Sequence, residues 1–203
     1  MINIFRNTDD IIINNNSNIY LVTGLVGSGK SYLSKKMVKE NPNIILFQLD
    51  WLKFSKYADE FGKSINDGFI KNNPEVFEYM QNKFANAKPE DRNGIYKSYI
   101  NKYFDYFLTQ VDKDKKYIVE GNQIFSCLNQ DKLIGKEYNI YIKGTSCLNS
   151  LTNRIKRDYD EEEKLNIKTK IKFFIRVLKE SRLFYIKHRK KLNDFIRKLN
   201  AYL

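Results

Sequence analysis

One stretch near the start of the chain, Gly24-Leu25-Val26-Gly27-Ser28-Gly29-Lys30-Ser31, has the residue types and spacing that bind a phosphate chain. It matches G-x-x-x-x-G-K-S and stands between the apolar run Ile19–Val22 and a segment with helical spacing. The glycines let backbone N–H groups turn inward around phosphate oxygens, and a helix that begins there adds the positive end of its dipole. Lys30 can reach the β- and γ-phosphates, and the Ser31 hydroxyl can bind Mg²⁺. The pattern predicts a nucleotide phosphate loop; the alternative is a glycine-rich turn that caps a helix. The predicted ligand-binding positions are Gly24, Gly27, Ser28, Gly29, Lys30 and Ser31.

Two carboxylates follow apolar runs that are typical of buried strands. Asp50 comes at the end of 44–49, and Glu120 comes after Tyr117–Val119 with Gly121 behind it. A carboxylate in such a place can accept the proton of an acceptor hydroxyl or bind Mg²⁺. Spacing does not decide which residue does which, but we favour Asp50 as the base and Glu120 as the metal ligand. The alternatives are a helix N-cap for Asp50 and a buried ion pair for Glu120.

Two arginines lie beyond the last predicted strand. Arg154 and Arg157 are three positions apart, so they share one face of a predicted helix. Two guanidinium groups there can clamp phosphates during transfer, and the alternative is a solvated basic face. Lys143 and Lys164 are weaker candidates. His188 lies in a basic run and is expected to be a surface residue.

Alternating strands and helices must position these groups. The apolar runs predicted to form strands are 18–23, 44–49, 117–119 and 138–142. The helix after the phosphate loop should end near Glu40, because Pro42 disfavours helix at Asn41. Such alternation predicts a parallel sheet, whose strands share one carboxyl edge where ligands bind. Residues 1–18 are ambiguous, since Ile11–Ile13 fits either a short strand or an N-terminal arm.

The 203 residues are expected to form one α/β domain with a three-layer αβα P-loop NTPase fold. We predict a mainly parallel sheet of about four to five strands. The predicted parts are a core of about 18–52 and 114–150, a helical insert over about 53–113, and a lid with basic helices over about 151–203. Within the insert, helices are predicted over about 74–86 and 91–111, and the insert is expected to cover the substrate.

The chain is basic, with a formal net charge of +12, and the residues from 151 onward hold 16 Lys and Arg against 7 Asp and Glu. A basic field suits phosphorylated ligands or nucleic acid, although a lysine-rich composition can also reflect solvated faces. No apolar run approaches the roughly 20 residues that cross a membrane. Cys127 and Cys147 are isolated, which predicts reduced thiols in a cytoplasmic protein and argues against a structural zinc site.

Taken together, these motifs resemble the P-loop kinases of small metabolites and nucleotides, within the P-loop NTPase superfamily. That group includes adenylate and other nucleoside-monophosphate kinases, shikimate and gluconate kinases, polynucleotide 5′-kinases and zeta-toxin kinases. Asp50 falls where several members carry the carboxylate that activates the acceptor. Glu120-Gly121 resembles the Asp-Gly of adenylate kinases, and 154–158 resembles their arginine-bearing lid helix. The resemblance covers about 18–160.

The sequence departs from that group in two places. No fifth strand follows the lid, where those kinases have a strand and a loop that holds adenine. The base would then be held either by the C-terminal helices or only loosely. The insert contains a single arginine, Arg92, and so lacks the arginines with which nucleoside-monophosphate kinases hold the acceptor phosphate.

The resemblance implies an ATP- and Mg²⁺-dependent kinase that transfers a γ-phosphoryl group to a small acceptor, with a nucleotide or nucleoside favoured. A polynucleotide 5′-kinase is the alternative within the group, suggested by the basic C-terminal helices. From another class, the chain could be a P-loop NTPase that binds nucleic acid or regulates a partner. The acceptor, the choice between ATP and GTP, and the oligomeric state stay open at this point.

Overall fold

A sheet of five parallel strands forms the middle of the molecule. The computed structural model describes residues 3–13, 17–52, 58–75, 78, 89–133, 136–153 and 167–201. The spatial order of the strands is β1-β5-β2-β4-β3. In chain order they are β1 (Asn3–Arg6), β2 (Ile19–Gly24), β3 (Ile44–Gln48), β4 (Lys116–Glu120) and β5 (Tyr138–Lys143). The four strands predicted from apolar runs are all present within a residue or two, which confirms the α/β fold class.

Helices connect the strands and follow the predicted pattern where the structure describes them. They are α1 (Lys30–Glu40), α2 (Glu60–Asn72), α3 (Pro89–Thr109), the short α4 (Gln123–Ser126) and α5 (Ile167–Asn200). Residues 147–153 are also helical, and Leu49–Leu52 and Gln130–Lys132 form 3₁₀ turns. Helix α1 ends at Glu40 as predicted, because Asn41 leaves the helical conformation and its side chain donates to the carbonyl oxygen of Met37 at 3.0 Å. Most of the predicted 74–86 helix lies outside the described residues.

Both faces of the sheet are covered, which makes the fold a three-layer αβα arrangement. On one face α1 packs Leu33 and Met37 against Tyr20, Val22 and Ile118 of the strands. The other face carries α2, α3, α4 and α5, and this larger cluster is rich in aromatic rings. In α3 the predicted stripe is buried at Tyr99, Tyr103 and Phe107, and Phe107 stacks on Phe47 of β3 with ring centroids 4.3 Å apart. The insert is therefore anchored on the sheet beside β3.

The edge beside β5 is filled from the N-terminus. Strand β1 pairs in parallel with β5, with Ile4 opposite Ile140, while Ile11–Ile13 forms no strand and Ile11 packs against the α1 side of the sheet. The sequence showed no strand after the lid that could pair with β5. Strand β1, which precedes the rest of the core in the chain, occupies this edge instead. The sequence signal was weak because the strand is only four residues long.

In the part of the chain predicted to hold a lid and basic helices, the structure has one continuous 34-residue helix from Ile167 to Asn200. Its last part packs on the sheet through Leu192, Phe195 and Leu199, which are buried, whereas Ile175 is 48% exposed. Within the described part of the chain, no helix is both long and apolar enough to span a bilayer.

Candidate functional site

The glycines of the phosphate loop hold the turn between β2 and α1. Gly24 has φ +144°, and a Cβ at this position would come within 2.0 Å of the Lys143 carbonyl oxygen. Gly27 has φ +74°, and its Cβ would meet the carbonyl oxygen of Ser150 at 2.8 Å. At both positions only glycine allows the left-handed backbone together with the close approach of a second chain segment. Gly29 is the N-cap residue of α1, so the helix begins at Lys30 with its N–H end facing the loop.

A helix over 147–153 holds the loop from outside. The Ser150 hydroxyl donates to the carbonyl oxygen of Val26 at 2.6 Å, and the Asn153 amide donates to the carbonyl oxygen of Gly27 at 2.8 Å. These two carbonyl groups are engaged by the helix, and within the loop the Ser28 N–H donates to the carbonyl oxygen of Leu25 at 3.2 Å. Sequence analysis did not single out Ser150 or Asn153, and their spacing on one helical face was the available signal. Arg154, Arg157 and Lys164 lie outside the described residues.

Lys30 is buried, and its Nζ donates to the carbonyl oxygen of Leu25 at 3.0 Å across the loop. A lysine is rarely buried to this degree unless its charge is compensated. Its neighbour Ser31 donates from Oγ to Oε2 of Glu120 at 3.1 Å. These two contacts link the start of α1 to the loop and to the end of β4.

Glu120 is 4% exposed and accepts hydrogen bonds from Ser31 and from the amide of Gln48 on the neighbouring strand. Gln48 is the residue directly beside Glu120 in the β3–β4 pairing. Burial raises the pKa of Glu120 and the charge of Asp50 adds to this, whereas Lys30 and the two hydrogen bonds act in the opposite direction. The carboxylate is thus held in a place where a further positive charge would stabilise its ionised form.

Asp50 lies within the 3₁₀ turn Leu49–Leu52, and its side chain is exposed. Its Oδ1 accepts a hydrogen bond from the amide Nε2 of Gln123, the first residue of α4. Sequence reasoning missed both Gln48 and Gln123. The available signal for Gln48 was a polar residue at the end of an apolar run, next to the strand that carries Glu120.

One cleft of about 320 Å³ brings the predicted groups together. Lys30, Ser31, Asp50 and Glu120 line it, along with Val26, Gly27, Gly29, Tyr32, Asn122 and Asn153. The hydroxyl of Ser31 and the carboxylate of Glu120 are hard oxygen ligands of the kind that Mg²⁺ prefers, and Mg²⁺ usually takes one or two protein ligands besides phosphate and water. These two residues therefore fit a magnesium ion bound with a nucleotide. The described residues contain no group of three or more His, Cys, Asp and Glu that could form a separate metal site.

A second pocket, of about 530 Å³, lies between the phosphate loop, the ends of β1 and β5, and helix α5. Its walls combine apolar and polar groups: Leu25, Ile142, Leu192 and Ile196, with Arg6, Asn7, Ser28, Lys143, Gly144, Thr145, Arg189 and Asn193. Asn7 adopts a left-handed conformation (φ 53°) and accepts a hydrogen bond from the Gly144 N–H at 2.8 Å. The Ser28 hydroxyl is buried and has no hydrogen-bond partner within the described chain.

Lys143, a weaker candidate, and His188, a predicted surface residue, both have structural contacts within the protein. Lys143 donates to the Thr8 carbonyl oxygen at 2.7 Å and pairs with Asp9 at 3.1 Å. His188 is partly buried, where a surface position was predicted, and its ring meets Phe125 edge-on at 5.8 Å. Burial, with Lys191, Lys187 and Lys30 as further causes, lowers the pKa of His188 to about 4. The imidazole is therefore neutral at physiological pH.

Comparison with known proteins adds no evidence on function, so any functional inference must come from the residues of the site. Neither the protein-family models nor the curated proteins gave a match to the sequence. The sheet, its helices and the loop geometry are compatible with an α/β P-loop-type fold.

Proposed function

We propose that the protein is an ATP- and Mg²⁺-dependent kinase that transfers the γ-phosphoryl group to a small acceptor. The observation that carries the proposal is the single cleft shared by Lys30, Ser31, Asp50 and Glu120. Phosphoryl transfer needs a phosphate cradle, a magnesium site and a group that orients the acceptor, and this cleft offers a residue for each. Asp50 would supply the acceptor-orienting group, which a loop that only binds nucleotide does not require.

The donor phosphates would lie in the loop between β2 and α1. Lys30 would exchange its hydrogen bond to the Leu25 carbonyl oxygen for phosphate oxygens, and the N–H groups at the start of α1 would add to the cradle. Ser31 and Glu120 would hold Mg²⁺, which neutralises charge on the β- and γ-phosphates when bound. The hydrogen bond between these two residues supports Glu120, and not Asp50, as the metal-side carboxylate.

Asp50 would serve the acceptor. The acceptor oxygen bonds to the γ-phosphorus, the bond from that phosphorus to the β–γ bridging oxygen breaks, and the hydroxyl proton passes to the Asp50 carboxylate. Arg154 and Arg157 remain candidates to stabilise the transferring phosphoryl, because the helix over 147–153 reaches the loop through Asn153 directly before them.

The second pocket suits the nucleoside end of the donor. It adjoins the phosphate loop at Leu25 and Ser28, it is wide enough for a base and ribose, and its apolar wall can pack on a planar ring. The amides of Asn7 and Asn193 and the hydroxyl of Ser28 can hydrogen-bond to polar edges of the base or sugar. This arrangement would replace the adenine-holding loop that the sequence lacks.

Transfer of ³²P from labelled ATP tests the proposal. Nucleosides, nucleoside monophosphates, sugars and 5′-hydroxyl oligonucleotides would each be offered as acceptor, with Mg²⁺ and with EDTA. Lys30→Ala should lower transfer about 10²–10⁴-fold because it removes charge at the transferring phosphate. Lys35→Ala, on the exposed side of the same helix, is the matched control and should retain parent activity. Equal activity of Lys30→Ala and the parent would show that the assignment is wrong.

A polynucleotide 5′-kinase is the second candidate because helix α5 exposes a basic run beside the second pocket. Arg182, Lys187, Arg189 and Lys190 are all exposed, and Arg189 lines that pocket. Labelling of oligonucleotide 5′ ends, with an affinity that falls steeply as salt rises, would favour this candidate over a small acceptor.

A further inference from the structure

Gln123 lies next to the cleft and has no part in the phosphate cradle or the magnesium ligands. It is the first residue of α4 and is 4% exposed, although its side chain is polar. Its Nε2 donates one hydrogen bond to Oδ1 of Asp50 and another to the hydroxyl of Tyr96 at 3.2 Å. A single amide therefore joins the turn after β3, the segment after β4 and helix α3 of the insert.

The orientation of this amide follows from its neighbours. A carboxylate only accepts hydrogen bonds, so the NH₂ group must face Asp50 and Oε1 must point the other way. Oε1 is buried without a hydrogen-bond partner among the described residues, and it lies against Gly121, where a Cβ would come within 2.5 Å of it. A buried acceptor without a partner is unfavourable, and an apolar side chain of the same length would avoid that cost. The position therefore carries a glutamine for its contact with Asp50.

We propose that Gln123 is a positioning residue that orients Asp50 toward a neutral hydroxyl acceptor, an inference that rests on the proposed kinase function. The amide occupies Oδ1 of Asp50 and leaves Oδ2 to receive the acceptor proton. Tyr96 in turn holds the amide, and burial raises the pKa of this phenol to about 12, so the phenol stays protonated and uncharged. The direction of the Asp50 carboxylate thus depends on where helix α3 packs.

The groups near Asp50 favour an uncharged acceptor. Among the described residues, amides and a phenol, namely Gln48, Asn122, Gln123 and Tyr96, are set around the carboxylates of Asp50 and Glu120. Lys30 is the cation that lines the same cleft, and it is assigned to the donor phosphates. Amides and phenols hydrogen-bond to hydroxyl groups, whereas an acceptor phosphate would place like charge beside two carboxylates. The acceptor class is therefore an alcohol, such as the hydroxyl of a nucleoside or sugar, and not a nucleoside monophosphate.

The positioning role and the acceptor class are both tested by steady-state phosphoryl transfer from ATP. Uridine, adenosine and glucose are compared as acceptors with UMP and AMP. Gln123→Met keeps the side-chain length and removes the amide, and it should lower kcat for the best hydroxyl acceptor about 10–100-fold. KM should change less than about threefold, and affinity for inorganic tripolyphosphate should be unchanged, because the phosphate cradle is intact. Tyr96→Phe should lower kcat about 3–10-fold, and it provides a second measurement if Gln123→Met does not fold. Gln110→Met, at an exposed glutamine just after α3, is the matched control and should behave as the parent.

The outcomes separate this inference from the kinase proposal. If the parent transfers phosphate but Gln123→Met and Tyr96→Phe match it, the positioning role is wrong and the kinase function stands. Loss of tripolyphosphate binding in Gln123→Met would also contradict the role, since it would mean general disruption of the site. Faster transfer to UMP or AMP than to the hydroxyl acceptors would overturn the acceptor class. If the parent transfers to none of these probes, the kinase proposal fails and this inference fails with it.

Discussion

Replacing Glu120 with glutamine should stabilise the ligand-free protein and weaken its response to Mg²⁺ and nucleotide. Glu120 is almost fully buried, and burial raises its pKa above the ordinary value of 4.5. A carboxyl group whose pKa is raised on folding favours the folded state in its protonated form. Its contribution to stability is therefore greatest below pH 4.5 and falls as the pH rises through the folded-state pKa.

The size of the effect follows from the contacts of Glu120. Glutamine has nearly the same shape and can still accept hydrogen bonds from Ser31 and Gln48 through its Oε1. Exchanging two charge-assisted hydrogen bonds for neutral ones costs about 2 kcal/mol in all. Removing the buried charge recovers a desolvation cost of several kcal/mol, on the order of 3–4. Burial is also the largest cause of the raised pKa of Glu120. The expected gain in unfolding free energy is about 1–2 kcal/mol at pH 8 and close to zero at pH 4.

Urea unfolding of the parent and Glu120→Gln at pH 4, 6 and 8 in EDTA measures this gain directly. Glu137→Gln, an exposed glutamate before β5, is the matched control and should show no pH-dependent gain. Saturating Mg²⁺ with ATP should then stabilise the parent by about 2–4 kcal/mol and the variant by clearly less, because the variant lacks the metal-side carboxylate. A Glu120→Gln protein that is less stable than the parent at pH 8 in EDTA would refute the reasoning, since the charge would then be favourable in the empty site.

Three further predictions concern the loop, the second pocket and the histidine. Gly24→Ala should lower the free energy of unfolding, measured in urea, by more than about 3 kcal/mol, because backbone strain adds to the clash with Lys143. Gly29→Ala should lower it by only about 1–2 kcal/mol, since its Cβ would meet open space, and equal losses in the two variants would contradict the described loop geometry. Asn193→Trp, which fills the second pocket, should weaken ATP binding at least about tenfold and leave the affinity for tripolyphosphate within about twofold, both measured by calorimetry. If the affinities for ATP and for tripolyphosphate fell by the same factor, the adenine base would have to bind outside this pocket. The ring protons of His188 should show no titration by NMR between pH 8 and pH 5.5, because its pKa is lowered to about 4, and a midpoint near 6.5 would show that the ring is solvated.

Much of the core was predictable because its signals are local. Mainly apolar runs identify β2, β3, β4 and β5, and the carboxyl ends of parallel strands meet at one edge whatever the loops between them do. The proximity of Asp50 and Glu120 to the phosphate loop follows from that rule alone. The end of α1 was equally local, since Pro42 acts on the residue next to it.

Other features depend on contacts between distant segments. Strand β1 is short and half polar, and it forms a strand because it pairs with the edge of β5. The Asn3 side chain also donates a hydrogen bond to the Asn139 side chain at 2.9 Å. The partners of the two carboxylates, Gln48 and Gln123, are ordinary polar residues in the sequence. Only the packing of β3, β4, α3 and α4 shows that Gln123 is buried, that Gln48 is partly buried, and which oxygen each one meets.

By itself, the sequence determined that a G-x-x-x-x-G-K-S loop lies between a buried strand and a helix and that two carboxylates share its edge of the sheet. The loop motif and the strand pattern each lie within a few consecutive residues, so backbone preference and hydrophobic burial decide them. The tertiary structure alone decided how those groups are held: which carboxylate bonds to Ser31, which one takes the Gln123 amide, and where the second pocket opens between β1, β5 and α5. These contacts join residues far apart in the chain, and their geometry is set by the packing of the whole core.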